Sequence, residues 1–441
     1  MKLSFRGGIR IDEHKNTEGC AIRRLPAPAK VAIPLSQHIG VQCRPTVGVG
    51  DRVLRGQQIG ELPGGLGCPV HSSVSGVVRE LRVRHNSVGA PITDVVIEND
   101  GSDRLAPEIY PQERSTETLT PEEITEAVYR AGISGMGGAA FPTHAKIGSA
   151  AGHVDTLLIN CAECEPYITA NHRLLLEDAA SVLRGTRLLM RAVGVQTGTL
   201  VVEDNKADAI AHLRELCASD YPDLRVAEVR TKYPQGDERQ LIYAVTHRAL
   251  PAGKLPADIG CVVFNAETAA AVFRAAALGM PLIERIVTVD GDCIREPGNL
   301  LVPIGTSFRD LIAACGGLKR EPARLISGGP MMGQALWSVD EPVTKGTSAV
   351  LALSEPARPT PVSAQTCIRC GRCVAACPMH LMPNYMASLA RTGDYAGSAE
   401  YGTLSCVECG CCSYVCPAGI PLVQYIRAAK AVLRQKPKKE G

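Results

Sequence analysis

Residues 367–378 read CIRCGRCVAACP, and residues 406–417 read CVECGCCSYVCP. Each run spaces its cysteines as C-x2-C-x2-C-x3-C-P, through Cys367, Cys370, Cys373 and Cys377, then Cys406, Cys409, Cys412 and Cys416. Three thiolates on a tight loop can cap one face of a [4Fe–4S] cube, while the fourth, opening the next helix, points to a second cube. Cys367, Cys370, Cys373 and Cys416 are therefore expected to hold one cluster, and Cys406, Cys409, Cys412 and Cys377 the other. Each proline ends its loop. Two zinc sites would need C-x2-C pairs without the third cysteine and the C-P ending. Cys411 fits no ligand slot and reads as a small residue packed beside a cluster.

Between the runs, 383–392 and 395–404 read as short helices, so 367–420 is expected to be an α-helical dicluster ferredoxin module, not a compact β-hairpin one. Of 18 cysteines in 441 residues, nine fall between Cys367 and Cys416. Dense, short-spaced cysteines in a large chain point to metal in a reducing compartment, not to a disulfide framework. The opening MKLSFRGGIR leads into no apolar stretch, so no secretory signal is expected. The longest apolar stretch, 269–283, contains Arg274 and is too short to span a bilayer. A net charge of +2 with interspersed signs gives no footprint for nucleic acid. With 45% hydrophobic but 4% aromatic residues, the cores must be mostly aliphatic.

Two adjacent cubes carry single electrons and need a source and a sink. Upstream, Thr120-Pro121-Glu122-Glu123 has the form of a helix start, with Ile124, Val128 and Ala131 on one face and an end near Gly132. GMGGAAFPTHAK (135–146) follows, its glycines permitting close approach and positive φ. Apolar runs at 154–160, 199–203 and 261–265 read as buried strands, alternating with helical stretches at 174–193, 206–217 and 267–278. That alternation implies a largely parallel α/β sheet. Polar residues gather at the strand ends: Asn160 to Pro166, Glu203 to Lys206, and Asn265 to Thr268. Pro234-Gln235-Gly236-Asp237-Glu238 opens a further helix. Strand ends are where such sheets hold ligands. The glycine loop is neither G-x-G-x-x-G nor a Walker loop, and nucleotide triphosphate hydrolysis is not expected.

Residues 40–100 alternate short β-like runs with turns and resemble the flattened barrel of biotinyl and lipoyl domains. Where those carriers place a lysine, this chain has Val70-His71-Ser72-Ser73-Val74. A docking or packing role is expected instead, with His71 a hydrogen-bonded turn histidine.

GMGGAAFPTHAK and NCAECEPY are similar to the FMN-binding loop and the following acidic loop of the flavin-bearing subunit of respiratory complex I. Together with EDNKADAI, YPQGDERQLI and PADIGCVVFNAET, the module order resembles the RnfC (RsxC) family of electron-transport proteins over roughly residues 3–430. The resemblance implies a multidomain α/β protein with a barrel-sandwich module at 1–110 and an FMN/NADH domain at 118–280. A β-grasp (SLBB-like) module at 281–345, the two-cluster module at 360–425 and a basic tail at 426–441 would follow. It implies an NADH-side subunit of an ion-translocating ferredoxin:NAD oxidoreductase (Rnf complex), with FMN, NAD(H) and two [4Fe–4S] clusters. Such a subunit would be peripheral on the cytoplasmic face of the bacterial inner membrane. Its partners would be Rnf membrane proteins of the A, B, D, E and G types, with ferredoxin reached through another subunit.

By the same resemblance, Gly135, Gly137, Gly138 and Lys146 would surround the FMN phosphate and ribityl chain. Asn160, Glu163, Gly236, Asp237, Glu238, Asn265 and Thr268 would lie along the flavin. Glu165 and Phe141 would face the nicotinamide nucleotide. This chain has Met136 where the complex I loop has arginine, and Ala162-Glu163-Cys164 where that protein has Asp-Glu-Ser. Two further readings remain: a soluble flavin and iron–sulfur reductase, like the corrinoid reductase of propanediol microcompartments, and a relay scaffold without flavin.

Overall fold

A computed structural model describes residues 3–85, 89–336, 338–355 and 366–435. The central layer is a four-stranded sheet in the order Leu224–Val229, Gly198–Glu203, Thr156–Asn160, Cys261–Asn265, parallel throughout. Leu157, Leu158 and Ile159 are all fully buried, as an unbroken apolar run requires in a strand covered on both faces. The fourth strand, Leu224–Val229, is not evident in the sequence. Arg225 and Glu228 interrupt its apolar pattern because it is the edge strand.

The helix before the glycine loop runs Pro121–Arg130 with the expected Thr120/Glu123 capping box, burying Ile124 and Val128. The helical stretch expected at 174–193 is two helices, Ala170–Glu177 and Ala179–Val193. They part at Asp178, which leaves helical geometry (φ −145°) and caps the second helix through Ser181 N–H. That second helix packs on Ala266–Leu278, where Gly185 lies directly against the backbone of Ala269.

The barrel module pairs Lys30–Pro34, Pro91–Asn99, Gly76–His85 and Arg52–Val53 in one sheet, and Arg44–Pro45, Gln58–Glu61 and Val70–His71 in another. The Val70–Val74 tip is buried, with Ser73 Oγ bonded to the Ile304 carbonyl at 2.5 Å, so it packs against the β-grasp module instead of swinging. Burial beside Lys345 pushes the His71 imidazole down to about 3.

Three structural features bear on the expected module boundaries. The residues before Lys30 pair outside the two barrel sheets: Leu3 bridges to Val229, Ile9 to Tyr233, and Ile22–Arg24 pairs in parallel with Asn299–Leu301. The β-grasp sheet continues past 345, because Ala349–Leu353 lies between Glu284–Asp290 and Arg324–Ser327. The expected tail from 426 is largely helix, Leu422–Gln435, whose apolar face buries Leu422, Ile426 and Ala429 against the cluster module. Residues 436–441, with the basic run from Lys436, lie outside the described residues. The cluster module is helical as expected, through Pro383–Arg391 and Tyr395–Glu400.

Candidate functional site

The glycine loop closes when Gly135 N–H donates to the Phe141 carbonyl (2.8 Å) and Ser134 bridges to Pro142. Left-handed φ falls at Gly132 (+63°) and Ala140 (+52°). The positive φ expected of the glycines at 135, 137 and 138 is therefore not what the loop uses them for. A Cβ on Gly137 would meet the Asn265 side chain at 2.8 Å, whereas one on Gly138 would meet nothing within 4 Å. Gly137 is required by packing, and Gly138 faces open space.

Three modules hold this loop. Met136 N–H donates to Thr268 Oγ1 (3.0 Å), Arg285 Nη2 to the Met136 carbonyl (3.2 Å), and Ile39 N–H to the Ala140 carbonyl (3.3 Å). Arg285, 1% exposed, is paired with buried Glu267 at 3.0 Å and also donates to the Lys345 carbonyl. Glu267 in turn accepts Ile286 N–H.

Around the loop, Lys146 Nζ pairs with Glu238 (2.6 Å), and Asn160 Nδ2 donates to the Gly236 carbonyl (2.8 Å). Asn265 Oδ1 caps the next helix at Glu267 N–H. Gly135, Gly137, Gly138, Lys146, Asn160, Gly236, Glu238, Asn265 and Thr268 thus converge at the carboxyl ends of the Thr156–Asn160 and Cys261–Asn265 strands. Phe141, 38% exposed, stands at the rim.

Three acidic candidates have other employment. Glu163 accepts the N–H groups of Asn171 and His172, capping the Ala170–Glu177 helix. Glu165 accepts Met331 and Met332 N–H from the β-grasp loop, and burial raises its pKa. Asp237 caps its own helix through Arg239 and Gln240 N–H, and burial raises its pKa as well.

The loop presents polar groups and, at Gly138, open space to a ligand that approaches the backbone closely. Ser134 and Thr143 are buried with hydroxyls lacking a hydrogen-bond partner among the described residues, as is the Gln235 amide. Thr143 opens the Thr143–Ala150 helix, whose start has no side-chain cap. Free amides at a helix start suit a phosphate.

The cysteines form two sites. Cys377, Cys406, Cys409 and Cys412 line one small cavity, and Cys367, Cys370, Cys373 and Cys416 line another. Each holds three thiols from one run and the fourth from the other, the donor set a [4Fe–4S] cube requires. Cys411 is buried at the edge of the first cavity.

The first cysteine site adjoins the flavin-type domain. Tyr233 Oη, three residues before Gly236, donates to the Cys409 carbonyl at 2.8 Å. Cys164 Sγ accepts Gly236 N–H (3.4 Å) and packs in the same buried cluster as Tyr233, Cys409 and Cys411. The second site is remote from this contact, and its Cys367 and Cys370 are exposed.

Sequence reasoning overlooked Lys15, Tyr233, Arg285 and Lys345. Lys15 Nζ donates to the carbonyls of Glu163, Glu165 and Ile168 at 2.7–2.8 Å, knotting the NCAECEPY loop. Burial, with Lys206 nearby, lowers its pKa.

A parallel sheet with a glycine loop at its strand ends, joined to two four-cysteine sites, defines an iron–sulfur flavoprotein of the complex I type. Residues 128–274 match the Nuo51 FMN-binding domain, 3–102 the RnfC barrel sandwich hybrid domain, 286–335 the SLBB domain and 366–420 the 4Fe-4S dicluster domain. The chain belongs to the RnfC family, the C-type subunits of ion-translocating ferredoxin:NAD(+) oxidoreductase complexes. It is 43% identical to the C-type subunit of the Na(+)-translocating ferredoxin:NAD(+) oxidoreductase complex of Acetobacterium woodii, over 97% of this chain and 96% of that protein. It is 42% identical to the C-type subunit of the proton-translocating complex of Clostridium ljungdahlii (98% and 94%). The C-type subunit of the ion-translocating oxidoreductase complex of Rhodobacter capsulatus is also 42% identical (99% and 84%). In fold, the chain is similar to a chain of an NAD+-reducing [NiFe]-hydrogenase in the air-oxidised state. The TM-score is 0.53 at 20% identity, over 71% of this chain and 66% of that one.

Proposed function

We propose that the chain exchanges electrons with NAD(H) at an FMN seated between the glycine loop and the two strand ends. From there they pass through the Cys377/Cys406/Cys409/Cys412 site, then the Cys367/Cys370/Cys373/Cys416 site, to other subunits of an ion-translocating ferredoxin:NAD oxidoreductase. Bound FMN supplies the conversion between hydride chemistry and single-electron chemistry. Gly138 leaves room for it, Lys146 and the Thr143 helix start favour its phosphate, and Asn160, Gly236, Glu238, Asn265 and Thr268 border it. Phe141 offers a ring to the nicotinamide nucleotide. Glu163, Glu165 and Asp237 contribute by fixing backbone: their carboxylates anchor the loops that frame the site.

The observation that carries this reading is the Tyr233–Cys409 hydrogen bond, which fixes the Gly236 loop against a cluster ligand. Among the described residues no helix is long and apolar enough to cross a membrane, so attachment is proposed to be peripheral, on the cytoplasmic face, through the membrane subunits. The test is flavin and iron content of the purified chain, with NADH-dependent bleaching of its iron–sulfur absorption. A chain loaded with iron yet devoid of flavin after reconstitution with FMN would instead be a relay scaffold.

A further inference from the structure

The barrel module reaches the rim of the proposed nucleotide site. Its 37–41 turn is fixed at every step. Gln37 Oε1 accepts Lys345 N–H (3.0 Å), His38 Nε2 lies 3.0 Å from the Cys68 carbonyl, Ile39 N–H donates to the Ala140 carbonyl, and Val41 N–H donates to the Leu66 carbonyl (2.9 Å). Gly40 sits at φ +123° against Leu66. Yet this rigid turn and its partner Leu66 leave apolar side chains in water: Ile39 is 46% exposed, Val41 42% and Leu66 37%. Ala140, which it grips, holds left-handed geometry that an alanine adopts only under constraint. Phe141, the next residue, is the exposed ring of the glycine loop.

A dinucleotide is far longer than the nicotinamide ring it presents to a flavin. With that ring inside, the adenosine half must lie over the rim. Resting on the NAD(H) reading above, we propose that Ile39, Val41 and Leu66 continue the surface of Phe141 and form the wall against which the adenine base of NAD(H) packs. The barrel then serves substrate binding, not cofactor carriage. A flat base with apolar faces suits an apolar wall held rigid before binding, because no ordering of the wall is required.

The test uses the full-length, FMN-loaded chain with ferricyanide as acceptor. It compares NADH with reduced nicotinamide mononucleotide, which lacks the adenosine half. Ile39→Asp should raise the KM for NADH about tenfold, the loss of roughly one apolar contact, with flavin content unaltered. The ratio of the two KM values should collapse toward one, and Ile39→Ala should move it the same way by less. A wild-type ratio in Ile39→Asp overturns the barrel assignment while leaving the NAD(H) reading intact. A parallel rise for both nucleotides also overturns it, since the flavin site would then be what was disturbed. An unchanged ratio with loss of membrane retention makes the patch a protein-docking surface instead. If wild type oxidises neither nucleotide, the NAD(H) reading fails and the wall falls with it.

Discussion

Gly138 offers a perturbation whose two consequences separate cleanly. A Cβ there meets no atom within 4 Å, and Gly138 is not among the glycines at positive φ. Gly138→Val should therefore change the stability of the ligand-free protein by no more than ~0.5 kcal/mol, as for an open surface site. The valine does fill the space in which FMN is proposed to meet the loop. Forcing a branched side chain into a packed contact costs ~1–3 kcal/mol, so affinity should drop up to ~100-fold. In wild type, FMN at 100 times its Kd should stabilise the domain by ~2.7 kcal/mol, and most of that increment should vanish in the variant. The assay is thermal unfolding with and without FMN, alongside flavin and iron contents, with iron expected to stay near roughly eight per chain for two four-iron clusters. Gly137→Val is the contrast: its side chain runs into Asn265, so the apo protein itself should weaken. Wild-type flavin content in Gly138→Val would refute the placement of FMN, and loss of iron together with flavin would make the loop structural.

Cys377→Ser should perturb the cluster held by Cys406, Cys409 and Cys412; selective loss of the signal from the Cys367/Cys370/Cys373 site in EPR would contradict the shared ligation. Arg285→Leu leaves Glu267 buried without its partner and should cost ~3–5 kcal/mol in urea unfolding, with FMN weakened because Met136 loses a tether. His71 is neutral in the fold, its pKa depressed to about 3 from 6.5. The unfolded chain takes up a proton there as pH falls below 6.5, so stability should decline by up to ~1.4 kcal/mol per pH unit. His71→Gln should remove that part of the slope between pH 6.5 and 5.5. Lys15→Met should leave iron content intact but loosen the Glu163–Ile168 loop, read as faster amide exchange at Cys164 and Glu165.

Local covalent spacing made the grouping of the cysteines into two sets of four legible. The pairing of Cys377 with the second run and Cys416 with the first follows from loop and helix geometry within a few residues. The buried strands were legible for a similar reason, since 156–160 and 261–265 are short apolar runs closed by Asn160 and Asn265. What the polar strand-end residues do was less legible. Glu163, Glu165 and Asp237 look alike in sequence to groups that face a ligand, yet their carboxylates are taken by amides. Two of the three partner sets, Asn171/His172 and Met331/Met332, belong to other elements. The break at Asp178 was hidden because apolar residues continue on both sides of it. The N-terminal strap was illegible altogether: Lys15 meets carbonyls about 150 residues downstream, and no local pattern encodes that.

That strap explains why chain order and spatial order differ. Gly8 N–H bonds to the Ala376 carbonyl beside Cys377, Ile9 exchanges hydrogen bonds with Tyr233, and Lys15 closes the NCAECEPY loop. Asn16 reaches Asp290 at 3.2 Å, and Thr17 reaches Thr169 at 2.6 Å. One short segment therefore touches the near cluster site, the flavin-type domain and the β-grasp module in succession. Without those contacts the two-cluster module would be held to the flavin-type domain by fewer hydrogen bonds. Electron transfer between centres weakens steeply with separation, so a module free to shift would exchange electrons unevenly. The strap, together with the Tyr233–Cys409 bond, restricts such shifts at the near site. At the far site Cys367 and Cys370 are exposed.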